Sequence, residues 1–434
     1  MTIPVRKPVA SLIEMTAAEI AAAVASGRTT CEAVAREHLE RIEEREPQVL
    51  AWQHLDPAQV VAQARALDRG GRRGPLAGVP FGVKDIIDTC DMPTEMGSPI
   101  YAGHRPRADA ACVALSRKAG GVLMGKTVTT EFANLHPGKT RNPHDPARTP
   151  GGSSSGSAAA VADGMVPLAI GTQTTSSTIR PASFCGVVGY RPTYGDLRCV
   201  GVKEAAGSLD TLGLFARSVD DIALYRDVLL GMDPEPIPAV ARAPRIGFCR
   251  TASWSRVEPG TQQMIEDAVR KLARDGAQVK DVELPAEFQD IADTHRAISS
   301  YEFARNFTWE IENHWDKISE TLRNGRLKDG LSSSFERYRN ARDRAERCRE
   351  LLATVLGDYD ALLTAAAAGE APVGLKSTGD TSFCVIWTTM HVPAVTLPVL
   401  RGPHGLPVGV QLISKRNADR ALFATALWVQ RALA

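Results

Sequence analysis

The strongest constraint on how this chain folds is where its strand-like apolar runs fall. One set lies between residues 75 and 213 and another between 392 and 413, with a long polar stretch between them. Val79–Val83, Gly121–Met124, Val166–Ile170 and Gly186–Tyr190 are short runs set among Gly, Ser, Thr and Pro clusters, with a helical stretch at Ala108–Ala119. That texture predicts buried strands joined by loops. Val392–Leu400 and Leu406–Ile413 repeat it at the far end. Because short strands bury little alone, both sets are predicted to share one sheet. The expectation is a single large α/β domain over 1–434, in four parts. N-terminal helices occupy 1–70, the core 75–235, a mainly helical peripheral region 236–360, and a return to the sheet 361–434.

Capping boxes, Thr16 with Glu19 and Thr29 with Glu32, predict two opening helices, the second ending near Arg45; a third spans Pro57–Asp68. Helices are also predicted at Thr261–Asp275 and through Ser300–Leu356, where Arg, Glu and Asp dominate. Fifty-one Lys plus Arg against fifty Asp plus Glu leave a net charge of +1, with no basic stripe, which argues against nucleic-acid and acidic-membrane partners. Eight cysteines form no CxxC pair and no zinc-like spacing with histidine, so reduced thiols and no metal or other cofactor are expected. The opening Met1-Thr-Ile-Pro-Val-Arg-Lys-Pro8 has no apolar leader core, and no uncharged apolar run approaches about 18 residues, so a cytoplasmic protein is expected.

Three motifs compete for the chemistry. Gly120-Gly-Val-Leu-Met-Gly-Lys-Thr127 has P-loop spacing, which would make Lys126 a phosphate ligand. Its middle residues are apolar, however, and read as the strand itself. Gly152-Ser-Ser-Ser-Gly156 matches a nucleophile elbow centred on Ser154, but the preceding 138–150 holds three prolines and makes a poor strand. The third reading joins distant residues: Lys84 at the end of an apolar run, the Gly/Ser turn that leads into Ser157–Ala162, and the Ser-dense Gly171–Ala182.

Here the chain resembles the amidase signature family. The matching pieces are Gly78-Val-Pro-Phe-Gly-Val-Lys-Asp85, Thr149-Pro-Gly-Gly-Ser-Ser-Ser-Gly-Ser157, Gly171-Thr-Gln through Arg180-Pro-Ala to Gly195, Ser208-Leu-Asp-Thr-Leu-Gly213 and Leu406-Pro-Val-Gly-Val-Gln-Leu-Ile413. The resemblance covers about residues 10–235 and 360–432. It implies a large mixed central sheet covered by helices on both faces, and an amidohydrolase needing no cofactor. It assigns the nucleophile to Ser177, a bridging serine, usually preceded by a cis peptide, to Ser153, and the base to Lys84; the family interval between the two serines is 24 residues, as here. The backbone N–H groups of Thr174, Thr175, Ser176 and Ser177 would form the oxyanion hole.

These residue types suit the task. Lysine acts as a base only when neutral, so burial must bring Lys84 down from about 10.4. Ser154 and Ser157 are expected to bond backbone, and Asp85 to support a turn. Arg180 has two readings, a substrate carboxylate or a structural ion pair; Glu131, Asn134 and Trp387 are further candidates near substrate. Where the family has glycines before the nucleophile, this chain has Thr175-Ser176, which should narrow the acyl pocket. The leading expectation is a free-standing amidase for a small amide, ureide or hydrazide, with a homodimer possible. The alternatives are a binding protein on the same fold and a glutaminase-type subunit of a transamidase.

Overall fold

The computed structural model describes residues 11–71 and 74–434, so the Met1–Pro8 segment lies outside the described residues. Eleven strands form one mixed sheet: β1 (Trp52–Leu55), β2 (Pro80–Lys84), β3 (Val122–Thr127), β4 (Leu168–Gln173), β5 (Val188–Arg191), β6 (Thr211–Ala216), β7 (Arg245–Cys249), β8 (Gln278–Val282), β9 (Ala361–Ala365), β10 (Ala394–Arg401) and β11 (Pro407–Ile413). Their order is β1-β3-β2-β4-β6-β5-β10-β11-β9-β7-β8. The two apolar sets do share the sheet, β10 pairing with β5 through Ala394 and Arg191. Helices cover both faces; Ser155–Ala162 lies on β2, β3, β4 and β6, and Ile179–Cys185 on β5, β10 and β11.

Three differences from the expectation have local causes. The second helix, Cys31–Val49, is capped by Thr30 rather than Thr29. Thr29 closes the preceding turn, its N–H reaching Ala23 O at 3.4 Å, while Glu32 is drawn to Arg36 and Arg65. The helix also runs past Arg45 to Val49, with Pro47 in its last turn. Finally, the stretch 236–360 supplies β7 and β8, which lie parallel and extend the sheet beyond β9. Gln278–Val282 carries Lys280 and Asp281 on an exposed edge strand, so its polarity hid it.

β2 positions the site. It is buried along its whole length and lies parallel to both β3 and β4, with Val83 opposite Ile170, so Lys84 and the Gly171–Gln173 end of β4 emerge at the same edge of the sheet. Crevices outside the carboxyl ends of parallel strands are where α/β folds place ligands. Helix Ser155–Ala162 closes on this edge because position 156 is glycine: a Cβ there would overlap Ala51 O and Val128 N. A second cluster, Phe132, Phe303, Phe307, Ile318, Leu322 and Leu327, ties the helical region above the crevice to the loop after β3.

Candidate active site

Lys84 is fully buried and its Nζ stands 2.7 Å from both Ser153 Oγ and Thr172 Oγ1. Removal from water favours its neutral form and brings its pKa from 10.5 to about 7; the negative field of Asp210 opposes this in part. Ser153 follows a cis peptide from Gly152, and its carbonyl accepts from Thr130 N–H at 3.2 Å.

The turn after β4 is shaped by Gln173, whose Oε1 accepts from the N–H groups of Thr178 and Ile179 and whose Nε2 donates to Thr388 Oγ1. Thr388 in turn donates to Thr175 O at 2.9 Å, and His295, held neutral by burial with a pKa of about 4, donates from Nε2 to Thr174 O. With the carbonyls tied back, the N–H groups of Thr174, Thr175, Ser176 and Ser177 donate to no protein acceptor among the described residues. Ser177 is 7% exposed, and its Oγ has no hydrogen-bond partner among the described residues. Ser176 Oγ is likewise unpartnered and buried.

The rival motifs are occupied elsewhere. Ser154 Oγ donates to Thr172 O and accepts from Thr172 N–H, both at 3.2 Å, while Ser157 Oγ bonds Ile170 O and Thr127 Oγ1. These serines staple the helix to β3 and β4. Lys126 lies within β3, not in a phosphate loop; its Nζ meets Asp85 Oδ1 at 3.1 Å, Thr94 Oγ1 at 2.6 Å and Pro93 O at 3.1 Å. Asp85 thereby ties down the loop beside β2, its Oδ2 also accepting from Glu95 N–H.

Of the expected substrate contacts, Arg180 is 2% exposed and donates to main-chain carbonyls, Gly152 O at 2.6 Å and Gly379 O at 2.9 Å, as well as to Thr378 Oγ1. No carboxylate pairs with it among the described residues, so it clamps the peptide ahead of Ser153 rather than forming an ion pair. Glu131 accepts from Ser319 N–H, and Asn134 Oδ1 from Leu135 N–H. Trp387 is fully buried in the main core; its neighbour Thr388 is the residue that reaches the turn. Sequence reading missed Thr172, Asp210 and Arg326. Arg326 Nη2 stands 3.5 Å from Thr175 Oγ1, and burial lowers its pKa to about 10. It sits in the irregular segment Arg323–Leu327, whose polar residues carry no apolar period to announce it.

At one edge of the α/β sheet the fold thus gathers a desolvated lysine, a serine bonded to it and a turn whose backbone amides are unengaged among the described residues. The chain belongs to the amidase signature family: the model of that family, Amidase, matches residues 33–423. A glutamyl-tRNA(Gln) amidotransferase subunit from Chloroflexus aggregans is 34% identical over 462 residues, covering 94% of each chain. Its counterpart from Acidothermus cellulolyticus is 42% identical over 299 residues, and the match spans 63% of this chain but only 59% of that relative's length. A crystal structure of an amidase superposes with a TM-score of 0.88 at 30% identity, covering 96% of this chain and 99% of that one. No helix among the described residues is long and apolar enough to cross a membrane.

Proposed function

We propose that Ser177 cleaves a carbon–nitrogen amide bond through an acyl-enzyme. Ser177 Oγ attacks the carbonyl carbon; its proton passes by way of Ser153 to Lys84, and the oxyanion meets the free N–H groups of Thr174 to Ser177. Collapse breaks the C–N bond, and the amine leaves with a proton returned through Ser153. Water then attacks the ester, releasing the acid and restoring Ser177. The observation that carries this is Lys84, desolvated and 2.7 Å from Ser153 Oγ. A hydroxyl is a weak nucleophile, and a base near neutrality is what it requires.

The acyl group is small and anionic in this reading. Thr175 and Ser176 place side chains where the family resemblance implies glycines, and Arg326 offers a guanidinium beside Thr175 with no carboxylate paired to it among the described residues. A substrate carboxylate is the natural partner of such a group. Sequence reading put a free-standing amidase ahead of a transamidase subunit; the names of the relatives favour the reverse order, with the amide of glutamine as the first substrate to try and partner chains to accept the ammonia. The solved amidase supports the hydrolase form.

The experiment is ammonia release from glutamine, from small dicarboxylic acid monoamides and from uncharged amides, with fluorophosphonate labelling mapped by mass spectrometry. An adduct on Ser177 that vanishes in Lys84→Ala, with turnover of carboxylated amides, is expected. An adduct on Ser154 would sink the mechanism. Vigorous turnover by the lone chain would set aside the transamidase form, and preference for uncharged amides the role of Arg326.

A further inference from the structure

The turn that carries Ser177 is held from outside by a carboxylate that the proposed steps do not use. Asp210, just before β6, has both oxygens engaged: Oδ1 takes the Thr174 hydroxyl at 2.5 Å, and Oδ2 takes the N–H groups of Ala205 and Ala206 at 2.7 and 2.9 Å. Three donors on two oxygens fix the carboxylate rigidly. Thr174 is the first of the four residues whose amides are free, and its carbonyl is fixed separately by His295.

Asp210 also shares the wall of a cavity of about 10 Å³ with Thr172, whose Oγ1 receives Lys84. The charged and titratable groups around it are Lys84, Arg326, Lys203 and Glu204, with Cys199 on the same wall and Tyr194 within reach of its charge. It is thus a carboxylate within electrostatic reach of both basic side chains of the site.

We propose that Asp210 is a positioning residue for amide cleavage: through Thr174 it holds the oxyanion turn in register with Ser177, and its negative charge acts on Lys84 from beyond Thr172. This rests on the assignment of Ser177 and Lys84 above. Two devices act through one side chain, and they separate by mutation. Asp210→Asn removes the charge and weakens the bond; Thr174→Val removes the bond and leaves the charge; Thr174→Ser keeps both.

The test measures the rate of fluorophosphonate labelling of Ser177, and kcat/KM on whichever amide turns over, across pH, with the melting temperature as a check of folding. Thr174→Val is expected to slow labelling about 10-fold or more without moving the acid limb, as a misaligned oxyanion donor does, and Thr174→Ser to restore it. Asp210→Asn is expected to slow labelling and to move the acid limb to lower pH, because the lost anion no longer favours the ammonium form of Lys84. If Asp210→Asn does not fold, the threonine pair still decides the positioning half. Unchanged rates in Thr174→Val, or an unmoved acid limb in a folded Asp210→Asn, would overturn the corresponding half of the proposal. Wild-type protein that does not label on Ser177, or labels equally well as Lys84→Ala, would instead overturn the assignment on which it rests.

Discussion

Replacing Lys84 with methionine is expected to abolish catalysis and stabilise the fold, by an amount that depends on pH in a calculable way. The native pKa is about 7 against 10.5 for an ordinary lysine. Below the native value the full burial penalty is present, about 5 kcal/mol at about 1.4 kcal/mol per unit of pKa. Hydrogen bonds to Ser153 and Thr172 offset about 1 kcal/mol each. Between the two pKa values the unfolded chain binds a proton that the native protein does not, so the stability of the wild type rises with pH through this window. Methionine fills the same space and does not titrate. Urea denaturation of both proteins at about pH 7.5 and about pH 9.5 should show the stability advantage of Lys84→Met shrinking by about 2 to 3 kcal/mol over that interval. Titrating groups that do not interact with Lys84 cancel in the double difference. A difference that stays flat with pH would mean that Lys84 keeps an ordinary pKa when folded, and would remove the base from the proposed mechanism.

Three other changes test the assignments around it. Ser154→Ala should leave labelling of Ser177 intact while lowering stability by about 1 to 3 kcal/mol, since both Thr172 O and Thr172 N–H lose a partner, as a denaturation curve will report. Lys126→Met strands Asp85 as an unpaired buried carboxylate and is expected to destabilise by about 3 to 5 kcal/mol, with no ATP turnover to lose; ATP hydrolysis by the wild type that disappears in this variant would revive the phosphate-loop reading. Gly156→Ala drives a methyl group into Ala51 O and Val128 N and should lower stability by about 1 to 3 kcal/mol, measured by thermal melting.

Much of the frame was legible in the chain. Apolar runs at 79–83 and 392–400 marked central strands because strands buried on both faces need no polar alternation. The Thr16–Glu19 capping box started its helix at Ala17 for a purely local reason, two side chains satisfying two backbone donors. β8 and Arg326 were not legible: one is an exposed edge strand, the other a polar residue in an irregular segment, and neither leaves an apolar period behind.

The same division runs through the site. The resemblance to the amidase signature family singled out Lys84, Ser153 and Ser177 as the candidates and marked Thr175-Ser176 as a departure from the glycines it implies. What the linear chain holds no record of is which atoms are already occupied. Ser154 and Ser177 are chemically identical in the sequence; only packing shows that the first spends its hydroxyl on the backbone of Thr172 while the second has no hydrogen-bond partner among the described residues. Lys84 and Lys126 are both buried lysines on neighbouring strands. Only the fold gives one of them a carboxylate at 3.1 Å and the other two neutral hydroxyls, and the proton affinity of an amine is set by the charges and the water around it.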